Sequence, residues 1–205
     1  MRLGLLLLGL AAAQSVAPPA RAQGKVETIG AFTGPAAPSV LAALEPGGYR
    51  VRLADGTVAC DVWFRKDLPG LVPSALVAVL SFPQASNDFR GQPVKAGSYT
   101  LRYAVMPSDG NHMGVAPTTD FLLLSPLADD KDASALQDFA TLAKMSAKTI
   151  GANHPAPLNL AAVPERKDYP AVAKDEYGHE VFHVKLRTAQ GERAIGLVVK
   201  GQFEP

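Results

Sequence analysis

Cysteine is almost absent from this chain: Cys60 is the only one among 205 residues. A disulfide framework within one chain is therefore excluded. Cys is among the most buried residue types, and Cys60 falls in an apolar strand pattern, so a buried and inert thiol is expected. A charge excess is also missing, the formal net charge being +1. Without a basic stripe nothing would neutralise phosphates, and nucleic acid is not an expected partner. Beyond the first two dozen residues no apolar run is long enough to be a transmembrane helix. The longest, residues 71–82, is interrupted by Pro73. There is no G-x-S-x-G elbow, no phosphate-binding Gly-rich loop ahead of a helix, and no Ser or Cys at a recognisable spacing from His. Acidic residues are dispersed, which offers no paired carboxylates for glycoside chemistry. The expectation is a protein that is not an enzyme and carries no cofactor.

What is present begins with the first 22 residues. Arg2 precedes an apolar run over residues 3–13, and a Pro-bearing stretch ends in Ala20-Arg21-Ala22. A positive start, an apolar stretch too short to span a bilayer and an A-x-A ending read as a signal peptide, cleaved after Ala22 to leave Gln23 first. Ala11-x-Ala13 is a weaker alternative site. No lipobox cysteine follows. Export to the periplasm or the medium of a bacterium is expected. Loss of Arg2 and Arg21 would leave 18 basic residues against 19 acidic ones, a net charge of about −1. Residues 23–205 are expected to form a single domain, long enough to bury a real core.

Short alternating runs dominate that domain. Residues 49–53 and 57–64 flank Asp55-Gly56, the strongest short hairpin signal. A two-residue turn would set Leu53 against Val58, Val51 against Cys60 and Tyr49 against Val62 on one apolar face. Arg50 would then meet Asp61 on the other. Trp63 falls on that second face or at its edge, where it could cover a second layer or touch a ligand. Residues 75–82, 97–105 and 121–124 read as further strands, with Tyr99, Leu101, Tyr103 and Val105 on one face and Thr100 and Arg102 on the other. A last hairpin, 181–187 and 193–199, would turn near Gln190-Gly191. It pairs Leu186 with Ile195, Val184 with Leu197 and Phe182 with Val199, and turns His183 away from the core.

One helix is expected near residues 133–150. Ser134-x-x-Gln137 has the form of a capping box, Leu136, Phe139, Ala140, Ala143, Ala147 and Ile150 keep helical spacing, and Gly151 can close it. A Pro-rich extended stretch, 154–170, follows. Many short strands, Gly and Pro turns and one helical insertion predict a mainly β chain, an antiparallel β-sandwich of Ig-like or transthyretin-like kind.

The run from Gly91 through Pro93, Gly97 and Tyr99 to Leu101 resembles the x-P-A-G-x-Y-x-L lead-in to a strand in bacterial exported β-sandwich domains, transthyretin-like and carboxypeptidase-regulatory-like ones among them. Its Gly permits a tight approach to the strand and its Tyr can tie the corner through the hydroxyl. Longer stretches, Trp63 to Asp67, Tyr99 to Tyr103, Asp109 to Pro117, Asp120 to Leu124 and His154 to Ala156, resemble a family of uncharacterised exported bacterial β-sandwich proteins. The resemblance implies a fold and no mechanism.

The connection from Ser108 to Asp120 is the richest in polar groups, with Asp109, Asn111, His112, Met113 and Asp120 among glycines and prolines. Loops on rigid scaffolds concentrate function. Asp109, Asn111, His112 and Asp120, with Trp63 as a neighbour, are the candidate binding residues for a small ligand or an envelope protein. Asp109-Gly110-Asn111 lacks the remaining oxygens of a calcium loop. His112 and Met113 with Met106 suit a soft metal such as copper, at a sparser spacing than copper chaperones use. A metal site of His112 with His154, His179 or His183 is the alternative. His179-Glu180-Val181-Phe182-His183 matches the H-E-x-x-H string of zinc hydrolases, but that string needs a helix. On a strand its two rings stand ~13 Å apart, too far for one zinc. A structural role in the envelope is the third reading.

Overall fold

The computed structural model describes residues 23–107, 116 and 118–201. The signal-like segment and most of the 108–120 connection lie outside them. The Asp-Gly hairpin forms from β2 (Gly48–Arg52) and β3 (Val58–Phe64), with Tyr49 opposite Val62, Arg50 opposite Asp61 and Val51 opposite Cys60 as the alternation requires. Arg50 grips Asp61 through two bonds of 2.8 Å. The tip differs from the expected two-residue turn. Gly56 N–H donates to Leu53 O, Leu53 N–H donates to Thr57 O, and Gly56 takes φ of +85°. This three-residue loop, with a left-handed Gly closing it, is accompanied by a register shift that sets Arg52, not Leu53, opposite Val58.

The last hairpin, β11 (Glu180–Thr188) and β12 (Gly191–Lys200), also turns one step earlier than the sequence suggests. Thr188 pairs with Gly191, so Leu186 faces Arg193, Val184 faces Ile195 and Phe182 faces Leu197. Leu68 explains the shift: its carbonyl takes the Ala189 N–H and fixes the turn at Ala189-Gln190. A displacement of two residues keeps every side chain on its face, and the predicted core residues remain in the core.

The other strands are β1 (Lys25–Ile29), β4 (Leu76–Phe82), β7 (Gly97–Val105), β8 (Asp120–Pro126), β9 (Ala156–Ala161) and β10 (Ala171–Lys174), with a small separate pair β5 (Ser86–Asn87) and β6 (Pro93–Val94). Ten strands form one antiparallel sheet in the order β1-β2-β3-β4-β7-β8-β9-β12-β11-β10. Strand β9 joins its two halves, pairing β8 through residues 156–159 and β12 through Leu160 and Ala161. The sheet curls until its edges nearly meet. A Cβ placed on Gly24, just ahead of β1, would lie 2.7 Å from the Val172 side chain of β10. The curl encloses the main core, in which Val51, Cys60, Val62, Leu80, Leu101, Leu122, Phe182 and Leu197 are fully or almost fully buried. Each such aliphatic or aromatic side chain contributes on the order of 1.5–3 kcal/mol from burial.

Three smaller clusters cover the outside. The six-residue helix α1 (Pro38–Ala43), absent from the sequence reading, packs Val40 against Trp63, Leu76 and Val79. Helix α2 (Phe139–Ala147) packs Leu142 and Met145 on Ala104, Phe121 and Leu123. Phe89, between β5 and β6, packs on Val181 and Val198.

Helix α2 starts later than the capping box implies, and two helices stand where one was expected. Asp138, not Ser134, is the N-cap and accepts from Thr141 N–H. The reason is competition for the backbone. Carbonyls of Asp132 and Ala135 accept from Arg102, Ser74 Oγ accepts from Gln137 N–H, and Ser134 is turned onto Asp132 Oδ1. With these groups committed, residues 133–137 cannot close a helical turn, and Leu136 is left exposed.

Candidate functional site

Strands β7 and β8 bring the ends of the polar connection together. Val105 pairs with Asp120, and Met106 N–H donates to Thr119 O at 2.8 Å. Asp109, Asn111, His112 and Met113 lie outside the described residues. Asp120, the last of the predicted binding residues on this connection, is half-buried and lines an open pocket of about 180 Å³. The pocket runs between the base of the connection, the end of β9 and the middle of β12. Thr118, Asp120 and Arg193 supply its polar groups, and Leu71, Leu160 and Ile195 its apolar surface.

The acidic side of the pocket is held in place from below. Tyr103 hydroxyl donates to Asp120 Oδ1. Burial, and then the Asp120 carboxylate beside it, pushes the Tyr103 phenol up to about 12, so it stays a proton donor at any ordinary pH. Thr118 hydroxyl donates to Leu160 O and accepts from Asn159 Nδ2, which ties the base of the connection to β9. Across the pocket, Arg193 is exposed and near enough for its charge to act on Tyr103. It makes no ion pair among the described residues. The pocket thus sets a hydrogen-bonded carboxylate and an exposed guanidinium around an apolar surface, an arrangement that can orient a small polar ligand.

The remaining candidates are placed elsewhere. Trp63 is buried, as a cover for a second layer: its indole N–H donates to Gly30 O at 2.8 Å and its ring meets Phe32 edge-on at 5.0 Å. His154, half-buried ahead of β9, has Nδ1 3.0 Å from Pro155 O. His179 is buried against the Phe89 ring, its Nδ1 2.9 Å from Asp175 Oδ2. His183 is buried in β11, its Nδ1 without a hydrogen-bond partner among the described residues, in a space that Gly196 leaves open: a Cβ there would come within 3.2 Å of the ring. Burial, and then the Arg166 charge, lowers the His183 imidazole to about 4.

The H-E-x-x-H string lies on strand β11 and the turn before it, not on a helix. Its Glu180 accepts from Ala54 N–H at 2.8 Å and so serves the sheet. Among the described residues no group of three or more His, Cys, Asp or Glu side chains is placed to hold one metal ion. Burial raises the Cys60 thiol far above its ordinary range.

Sequence reading missed Arg193, which lines the pocket, and Tyr103, which holds Asp120 from beneath it. Tyr103 looked like one of a row of core aromatics, and nothing local distinguished Arg193 from other strand-edge charges. The pairing of β7 with β8 brings Tyr103 to Asp120, and the return of β12 beside β9 brings Arg193 there. Comparison with models of known families, with curated proteins and with solved structures gave no match.

Proposed function

We propose that the protein is an exported, non-catalytic binding protein. Its scaffold is a flattened β-sandwich in which the two halves of the curled sheet pack face to face. The ligand site is the pocket at the base of the 108–120 connection. The observation that carries this reading is the placement of Asp120 and Arg193 in the lining of one pocket, with Asp120 held by Tyr103. A ligand presenting an acid to Arg193 and a donor to Asp120 satisfies both charges, whether it is a small molecule or the exposed segment of an envelope protein. Residues 1–22 support the export half of the reading through their charge and hydropathy pattern.

Thermal melts against a panel of small carboxylates, amines and free amino acids test it. A panel member present at ten times its dissociation constant should stabilise the protein by ~1.4 kcal/mol. The gain should vanish in Arg193→Ala and Asp120→Asn. A panel without any stabilising member, or gains unchanged by both variants, would count against the site.

A further inference from the structure

A second cleft lies away from Asp120. It has a volume of about 450 Å³, within the range of ligand sites. Its walls are the tip of the β2–β3 hairpin, the 84–87 segment and the end of β12. Val58 and Ala59 line it, and they belong to a stretch of β3 that is paired on one side only. Strand β3 pairs β2 from Val58 onward, but its register with β4 begins at Asp61 opposite Ser81. Just beyond β4, Pro83 follows Phe82. Pro lacks the N–H that a continued ladder would need, and the chain leaves the sheet there. At Val58 and Ala59, β3 therefore presents an open edge to the cleft.

The cleft's charges cancel. Lys200 Nζ lies 3.4 Å from Asp55 Oδ2 across one side, and Asp55 Oδ1 also accepts from Thr57 N–H. What remains is neutral and bifunctional. The side chains of Gln84, Ser86 and Asn87 line the cleft without a hydrogen-bond partner among the described residues. Leu53 and Val199 supply apolar surface beside them. Among the described residues no aromatic ring lines the cleft.

We infer that this cleft binds a short, uncharged, extended peptide segment, which adds its main chain to the open edge at Val58 and Ala59 while Gln84 and Asn87 bond its far side. Strand addition of this kind draws affinity from main-chain hydrogen bonds and selectivity from alternate side chains. The inference is independent of the Asp120 pocket.

The test is amide-resolved NMR of the full chain titrated with an acetylated and amidated hexapeptide of alternating Val and Ser, and separately with sucrose as a neutral polyol. The peptide should shift the amides of Val58, Ala59 and Cys60 together with those of residues 84–87. Asn87→Ala and Gln84→Ala, which change partly or wholly exposed side chains outside the core, should each weaken it about three- to tenfold, as expected for one lost hydrogen bond. Binding that leaves the 58–60 amides unmoved would overturn the inference. So would shifts caused by sucrose alone, peptide shifts confined to Thr118–Asp120 and Arg193, or no response at millimolar peptide.

Discussion

Arg102 and Asp130 form a bidentate ion pair, at 2.7 and 2.8 Å, with side chains 0% and 1% exposed. The other three guanidinium N–H groups donate to the carbonyls of Ser74, Asp132 and Ala135. All five donors of one arginine are thus satisfied inside the protein. The pair fastens the irregular 126–137 segment to the outer face of β7, beside the strand that leads to the Asp120 pocket.

Removing one partner should be costly. Asp130→Ala leaves a buried, uncompensated guanidinium, and a loss of about 3–5 kcal/mol is expected. Arg102→Lys should also destabilise, because a lysine has three donors on a single nitrogen and cannot reach the carboxylate and three carbonyls together. Urea unfolding followed by fluorescence of Trp63, the only tryptophan, reads both variants. Midpoints equal to that of the parent would refute the role assigned to this pair.

His183 should make stability depend on pH. Its folded pKa of about 4 lies below the ordinary value of 6.5, so between those values the unfolded chain takes up a proton that the native state refuses. Stability is full above about 6.5 and falls as pH drops toward 4, by on the order of 2–3 kcal/mol. Arg166, Asp168 and Asp175 surround the ring and set this balance. In His183→Asn that limb of the profile should flatten. Unchanged pH dependence in the variant would assign the effect to other groups.

Cys60 should be silent in the folded protein. It is fully buried and its thiol is held protonated, whereas the thiolate is the reactive form. Labelling by a thiol reagent at neutral pH should be negligible in buffer and complete in denaturant. Rapid labelling of the native protein would show that the thiol is reachable.

Much of the fold was legible where alternation and turn chemistry agreed. The pairs Tyr49–Val62, Arg50–Asp61 and Val51–Cys60 follow from the sequence and stand in the structure. The buried fate of Cys60 was equally readable. Strand β9 was hidden by Pro155 and Pro157, which suggest a stretch that pairs with nothing. Yet Pro157 sits opposite Leu123, and the strand joins the two halves of the sheet. The start of α2 was misread because Arg102, Ser74 and Asp132, none of them part of the local pattern, claim the backbone of residues 132–137. Asp120, singled out in the sequence for its place on a polar connection, lines the pocket. Arg193 is 73 positions away in sequence, and its proximity is a tertiary fact.

The central claim is that ligands are held between Asp120 and Arg193, and amide chemical-shift mapping tests it most directly. The probe is the panel of small carboxylates, amines and free amino acids, added singly to the full chain. Stabilising members should shift the amides of Thr118, Thr119 and Asp120 together with Arg193 to Gly196, and Tyr103→Phe, which frees the Asp120 carboxylate from its fixed position, should weaken them about tenfold or less. Shifts that avoid those residues, or an affinity indifferent to Arg193→Ala, would contradict the account.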